Sequence, residues 1–382
     1  MRFLTAGESH GPKLLGIIEG LPSGLTINKE LINRALAHRQ QGPGRGGRMK
    51  IEQDRVNLVS GVRGGLTTGA PLALEIENRD WANWEQVMTW RPEADLASRK
   101  VTAPRPGHAD LAGAQKYHTE VRNILERASA RETAMRVAVG SVARQLLESL
   151  GVSVRGRVNS VGGVGATVED TAEYWERVAG SPWAVGDPAA EVRMHERLEQ
   201  ARDQGESLGG TIEIQVCGVP AGLGSHVQWD RKLDGKLAQA VLSVQAIKGV
   251  SFGMGFAAAD YPGSQVHDPI VYTKGLGFER LSNHAGGIEG GMSNGQPIVI
   301  HAVMKPIPTL YKPLRTVDLE TKETVEASVE RSDICAVPAA CVVLQHVAAW
   351  VMAEAVTDKF PHDSFAELRQ AWEEYREYLR NL

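Results

Sequence analysis

Apolar residues run along the chain in two rhythms. Residues 14–18 and 212–216 are short apolar runs bounded by Gly and Pro, which predicts strands. Leu31, Ile32, Ala35 and Leu36 share one helical face, and Gly42 ends that run. Leu233, Leu237, Val241 and Val244 repeat the spacing, with Gly249 expected to close the helix. Longer apolar helices are predicted at 130–150 and 338–356. The second carries Gln345, His346 and Glu354, so it reads as a buried core helix rather than a membrane span. At 364–382, Phe365, Leu368, Trp372, Tyr375 and Leu379 form a stripe at helical spacing. That predicts an amphipathic helix packed on the body or on a neighbouring subunit.

These elements occur twice in one order. Gly7-Glu8-Ser9-His10-Gly11 aligns with Gly205-Glu206-Ser207-Leu208-Gly209. Without a gap, Gly20, Pro22, Gly24 and Leu25 then fall on Gly218, Pro220, Gly222 and Leu223. Later, Gly61-Val62-Arg63-Gly64-Gly65-Leu66-Thr67-Thr68-Gly69-Ala70-Pro71 echoes Gly287-Ile288-Glu289-Gly290-Gly291-Met292-Ser293-Asn294-Gly295-Gln296-Pro297, and both run into an apolar strand. The expectation is one domain over residues 1–382, built from duplicated halves at about 1–150 and 200–360. The period is far too long for a stacking solenoid. The segment 160–205, rich in charge and Gly, reads as a variable excursion between the copies. Short strands with Gly and Pro at their ends suit antiparallel pairing. The predicted class is therefore α+β, a β-α-β sandwich with helices between antiparallel sheets.

A chain of 382 residues, 42% hydrophobic, can bury a large core. With 42 basic and 46 acidic residues the net charge is −4, which argues against nucleic acid or a membrane as main partner. A local basic pocket stays open. Cys217, Cys335 and Cys341 sit among apolar or small residues and read as core hydrophobes in a reducing compartment. Glu8 and His10 interrupt the only early apolar stretch, so no signal peptide is expected and the predicted location is cytoplasmic.

The internal repeat acts as a control on candidate chemistry. Gly7, Ser9 and Gly11 recur in the second half, so the turn itself accounts for them. His10 does not recur, because Leu208 takes its place. The scaffold therefore does not require an imidazole there, and a histidine can move a proton near neutral pH. Arg39, Arg45 and Arg48 flank a Gly-rich loop that formally contains GxGxxG. That loop follows a helix rather than a strand, which excludes the dinucleotide reading. Three guanidinium groups on a flexible loop suit a small polyanion instead. In Glu126-Arg127-Ala128-Ser129-Ala130-Arg131-Glu132, Ser129 and Glu132 read as a capping box, and the same helix start reads equally as an anion site. Pro104-Arg105-Pro106-Gly107-His108-Ala109-Asp110 is a stiff turn presenting Arg105 and His108. Glu330-Arg331-Ser332-Asp333 precedes the second long helix much as Glu126-Arg127 precedes the first.

Together, Gly7 to Gly11 through Pro22, Glu126 to Thr133, Arg105 to Asp110, the arginine-glycine loop, and Arg331-Ser332-Asp333 with Cys335 resemble the chorismate synthase family along nearly the whole chain. The resemblance implies a homotetramer that removes phosphate from 5-enolpyruvylshikimate 3-phosphate. The reaction it implies is a 1,4-anti elimination on reduced FMN (FMNH2), with no net redox change. It matches His10 to a position near the departing phosphate, His108 to one near flavin N1 and the C2 carbonyl, and Asp333 to one near N5. Ser9, Arg39, Arg45, Arg48, Arg105, Arg131 and Arg331 match substrate-facing positions. FMN contacts are implied for Arg127, Ala128, Ser129, Gln245, Ala246, Gly290, Lys305, Pro306, Ile307, Pro308, Thr309 and Arg331. Whether flavin is reduced by the protein itself with NADPH or by a separate flavin reductase stays open. Ile334 stands where the family commonly has Pro, and Gln345 where it commonly has Glu; both are expected to lie away from the chemistry. The rival readings are a flavin-dependent oxidoreductase, for which no nicotinamide motif is found, and an RNA-binding protein using the arginine-glycine loop.

Overall fold

A computed structural model describes residues 1–47, 51–330 and 332–382, so Arg48 and Arg331 lie outside the described residues. The first half runs β1 (Arg2–Ala6), β2 (Lys13–Glu19), α1 (Lys29–Gln40), β3 (Val56–Ser60), a hairpin of β4 (Val62–Arg63) and β5 (Leu66–Thr67), then β6 (Leu72–Glu77). Helices α2 (Glu85–Met88), α3 (Asp110–Tyr117), α4 (Val121–Ala128) and α5 (Thr133–Ser149) follow. Next come β7 (Ser153–Val161), β8 (Val164–Gly165), α6 (Ala172–Gly180) and α7 (Pro188–Asp203). The second half holds β9 (Gly210–Cys217), α8 (Leu233–Leu242), β10 (Ile247–Phe252), α9 (Gly263–Val266), β11 (Ile270–Thr273) and β12 (Gly277–Arg280). It continues with the hairpin β13 (Ile288–Glu289) and β14 (Met292–Ser293), then β15 (Ile298–Met304), β16 (Arg315–Val317) and β17 (Thr324–Glu326). It ends in α10 (Val337–Lys359) and α11 (Phe365–Asn381).

The main sheets are antiparallel and have matching orders, β1-β2-β6-β3 and β7-β9-β15-β10, with β8 added beside β7. Alternation decides which face is buried: Leu14 and Ile18 of β2 and Leu72, Leu74 and Ile76 of β6 point inward, while Leu15 and Ile17 are exposed. Helix α5 packs against β2 and β6, α10 against β7 and β9, and the two helices against each other. The fold is α+β. Although α10 is long and apolar enough to cross a membrane, it lies almost wholly inside the protein. Burial pushes the thiols of Cys335 and Cys341 up to about 11 and about 12, so both stay protonated.

The sequence echoes adopt one backbone. Gly61, Gly64, Gly65 and Gly69 have φ of 82°, 60°, 82° and 81°, and Gly287, Gly290, Gly291 and Gly295 have 79°, 58°, 83° and 93°. Side chains disfavour that region, so glycine recurs at each place. Thr67 Oγ1 donates to the Pro22 carbonyl and accepts from Leu25 N. Ser293 Oγ does the same with Pro220 and Leu223.

Several expectations need correction. Gly249 does not close α8, which ends at Leu242; it lies within β10. The first long helix opens with a 3-10 turn over Ala130–Glu132. Residues 160–205, expected as a variable excursion, contribute to the common core, where α6 and α7 bury Tyr174, Met194 and Leu198, with Trp183 between them. The tail helix α11 packs on the body through Leu368 and Trp372, and Tyr375 donates to the Ala221 carbonyl at 3.1 Å.

Candidate active site

The turn after β1 sets His10. At Gly7 (φ 106°) an added Cβ would lie 2.4 Å from the Lys13 carbonyl oxygen, so only glycine fits. Ser9 N donates to the Glu126 carbonyl at 2.9 Å, and Ser9 Oγ donates to Ser129 Oγ at 3.0 Å. His10 gives its backbone N–H to Glu126 Oε2 at 2.8 Å, and its Nδ1 lies 2.8 Å from Glu126 Oε1. The ring stacks on Trp84 at 3.9 Å, and Arg99 lies 4.6 Å over the same indole. Burial would raise the Glu126 carboxyl, but His10 and Arg122 hold it below the ordinary range. At the equivalent place in the second half, Leu208 is buried and its N–H bonds the Ile334 carbonyl.

Two expected substrate-facing arginines are turned inward. Arg39 Nη2 bonds Asp54 Oδ2 at 2.8 Å, and Arg131 Nη1 bonds Asp54 Oδ1 at 2.5 Å. Arg131 also donates to Asn78 Oδ1 at 2.8 Å, and Asn78 in turn donates to the carbonyls of Glu8 and Gly11. Burial alone would raise the Asp54 carboxyl, yet the two guanidinium groups draw it below the usual range. The capping box does not form either. Ser129 Oγ accepts from Arg131 N, while Glu132 bonds Thr5, Arg136 and Gln245 instead of the Ser129 backbone.

Arg45 stays at the arginine-glycine loop. Its Nη1 bonds Asp333 Oδ2 at 2.6 Å, and Asp333 Oδ1 accepts from Gly46 N at 2.6 Å. Ile334 N donates to the Gly44 carbonyl at 2.8 Å, so Ile334 braces this loop rather than lying away from the chemistry. Gln345, on α10, contacts Cys341 Sγ at 3.7 Å, within the core.

Asp110, fully buried at the start of α3, gathers the third group. It accepts from Arg105 Nε at 2.9 Å and Nη2 at 3.1 Å, and its Oδ1 lies 2.5 Å from His108 Nδ1. Burial opposes its charge, but the bonds from His108 and Arg105 keep it ionised far below the usual range. Asp110 can only accept and lies closer to His108 Nδ1 than the donor Arg105 Nη2 does at 3.1 Å, so the nearer contact assigns the proton to Nδ1. Arg105 Nη1 also donates to Thr309 Oγ1 at 2.9 Å.

The residues expected to hold the cofactor form a connected path across both halves. Arg127, at the surface, donates to Thr5 and to the Gly7 carbonyl. Thr5 donates to Glu132, which accepts from Gln245. Ala246 holds φ 66°, a strained backbone for a residue with a Cβ, and its carbonyl accepts from Lys305 N. Lys305 Nζ reaches the Gly107 carbonyl at 2.6 Å, and burial with nearby Lys248 lowers the ammonium from its ordinary value. The Ile307 carbonyl accepts from Ser207 Oγ at 2.7 Å. Ala128 ends α4, and Pro306 and Pro308 lie in the segment between Lys305 and Thr309. Gly290 stands apart on the β13–β14 hairpin, and no contact joins it to the others among the described residues. A separate cleft of about 230 Å³ between α1, α5 and α10 is lined by His38, Arg144 and His346 and contains none of these residues.

Sequence reasoning named Glu126 and Asp110 only as parts of motifs, and it missed Asp54, Trp84 and Glu132 as partners. The pair His108 and Asp110, two residues apart at a helix start, was the one visible signal. Asp54 and Trp84 come from segments far from the residues they hold.

Comparison with known proteins gives the family. The family model described as chorismate synthase matches residues 1–357. The chain is 68% identical over 379 residues to the chorismate synthase of Desulfitobacterium hafniense (strain Y51), covering 99% of each. It is 54% identical over 388 residues to that of Enterococcus faecalis (strain ATCC 700802 / V583), covering both chains completely. A crystal structure of a chorismate synthase superposes with a TM-score of 0.80 at 39% identity, covering 100% of this chain and 98% of that one. Neither the oxidoreductase nor the RNA-binding alternative gains support. The chain belongs to the chorismate synthase family.

Proposed function

We propose that this protein is a lyase that converts 5-enolpyruvylshikimate 3-phosphate to chorismate, the last step of the shikimate pathway, by 1,4-anti elimination with reduced FMN and no net redox change. The observation that carries the reading is the setting of His10. An imidazole replaces the apolar residue of the second half and sits on an ionised carboxylate, one hydrogen bond away from the Ser129 turn. In this reading His10 protonates the departing phosphate, a contribution typically of 10²–10⁴-fold. Arg45 and Arg105, with Arg48 and Arg331 retained from the sequence match, bind the phosphate and carboxylates of the substrate, and Ser9 lines the same side. Arg39 and Arg131, tied to Asp54, form the floor behind them.

The residues present fit FMN. Gln245 Oε1 is buried with no partner among the described residues, an acceptor awaiting a donor such as a ring N–H. Arg127 and Lys305 offer cations for a phosphate. Arg127, Ala128, Ser129, Gln245, Ala246, Gly290, Lys305 to Thr309 and Arg331 would hold the cofactor. When bound and reduced it supplies a transient electron and accepts a proton. His108, with its Nδ1–H on Asp110, would keep Nε2 for the cofactor, and Asp333 is the carboxylate that would accept and return a proton. The same reading takes the two halves as one duplicated unit in a β-α-β sandwich, assembled as a cytoplasmic homotetramer. NADPH or a separate flavin reductase would keep the cofactor reduced.

The test is anaerobic. FMN reduced once with dithionite should support many turnovers, and oxidised FMN none. One chorismate per reducing equivalent would mean that flavin is consumed as a reductant, and the elimination reading would be wrong.

A further inference from the structure

We infer that Glu126 is a positioning residue that selects the tautomer of His10, placing the mobile proton on Nε2. The inference deepens the proposed role of His10 and rests on it for its catalytic meaning, though not for its geometry.

The carboxylate has two oxygens and faces two donors on one residue. Oε2 accepts the His10 backbone N–H at 2.8 Å, and Nδ1 lies 2.8 Å from Oε1 and 3.0 Å from Oε2. A backbone amide cannot give up its proton, and an ionised carboxylate can only accept. Nδ1 must therefore carry hydrogen in both the neutral and the charged ring, and proton exchange is assigned to Nε2. Arg122 Nη1 at 3.5 Å from Oε1 adds a third donor on the same carboxylate and reaches on to Glu330 at 3.1 Å. Trp84 covers one face of the ring, with interplanar angle 24°, so the stack fixes the ring plane, and a half-turn about the Cβ–Cγ bond within that plane would lose the Nδ1 contact. The carboxylate chooses the nitrogen and the indole holds the plane.

This arrangement makes Glu126→Gln informative. A carboxamide has one acceptor and one donor end. If its oxygen takes the backbone N–H at the Oε2 place, its NH2 stands 2.8 Å from Nδ1 and the oxygen 3.0 Å from it, so Nδ1–H loses its nearer acceptor and keeps only the farther one. The opposite orientation sets NH2 against a backbone N–H at 2.8 Å, a donor facing a donor. Arg122 favours oxygen at the Oε1 position but from 3.5 Å, so the closer clash decides. The substitution should weaken the preference for Nδ1–H and raise the share of ring with hydrogen on Nε2, with little change in side-chain volume.

The experiment is ¹⁵N NMR of the full-length protein labelled at its 11 histidines, at about pH 8, where an ordinary imidazole is neutral. The His10 signals are identified by their loss in His10→Ala. Wild type should show pyrrole-type Nδ1 and pyridine-type Nε2, and Glu126→Gln both signals shifted toward the reverse. In the assay Glu126→Gln should lower kcat on the order of 10²–10⁴-fold, as loss of an orienting carboxylate does elsewhere. The wild-type spectrum stands even if the variant does not fold: protonated Nε2 with bare Nδ1 overturns the inference. A tautomer that stays unchanged in folded Glu126→Gln overturns it too. If His10→Ala keeps full turnover while the spectra come out as expected, the role of His10 in the reaction fails and the positioning by Glu126 survives.

Discussion

His346 lies on α10, 3% exposed, with Nδ1 bonded to the Val342 carbonyl at 2.7 Å. Burial pulls its pKa down to about 4, with Arg144 and His38 adding to the shift and the Val342 bond opposing it. An unfolded chain would titrate this residue near 6.5. The sign follows from proton uptake. Between pH 6.5 and 4 the unfolded state binds a proton that the folded state refuses, so stability falls as pH falls through that window and is independent of this group above it. The loss amounts to about 3 kcal/mol across the window. His346→Asn keeps a donor for Val342 without the titration. Its melting temperature should change less between pH 7 and pH 4.5 than that of wild type, and equal changes would refute the assignment. The same scale shows where reading residues along the chain stops. Arg39 and Arg131 looked available to an anion because the carboxylate that binds them is not adjacent in sequence. Asp54, which binds both, is 15 positions from one and 77 from the other. His10 was legible through Leu208, but its carboxylate partner 116 residues away was not.

Elements were easier to read than pairings. Apolar periodicity located α1, α8, α10 and α11, and paired Gly-rich echoes located matching segments of the two halves, because each depends on local geometry alone. Gly249 misled because a glycine after an apolar helix usually closes it, whereas here α8 has already ended and β10 tolerates it. The excursion at 160–205 looked polar because α6 and α7 each bury only one face. What pattern could not show is how α5 and α10 meet. At Gly140 an added Cβ would lie 2.3 Å from the His346 carbonyl oxygen and 2.6 Å from its Cβ. In an isolated helix Gly→Ala favours folding by roughly 1 kcal/mol, but overpacking costs roughly 1–3 kcal/mol. The backbone oxygen cannot swing aside as a side chain could, so the clash should win and Gly140→Ala should melt several degrees below wild type. A higher melting temperature would mean that the helices do not touch there.

At the scale of the whole molecule the candidate site is a seam. Arg45 and Gly46 meet Asp333, Arg105 meets Thr309, Lys305 meets Gly107, and Arg122 meets Glu330. The first half brings most of the guanidinium groups, and Asp333 and Glu330 of the second half neutralise two of them. An anionic substrate must therefore compete with Asp333 for Arg45. Asp333→Asn keeps an oxygen for Gly46 N but removes the charge from Arg45, so the arginine is released to the ligand. Hydrogen bonds to charged groups contribute about 1.5–3 kcal/mol, part of which the asparagine retains, so KM should fall roughly two- to tenfold. The same substitution removes a proton acceptor, and kcat should fall on the order of 10²-fold, with FMN binding nearly unchanged. The opposed movement of the two constants separates this account from a simple brace. Loosening the loop alone would raise KM and leave kcat near wild type, and that result would assign Asp333 to holding the seam and remove it from the proton path.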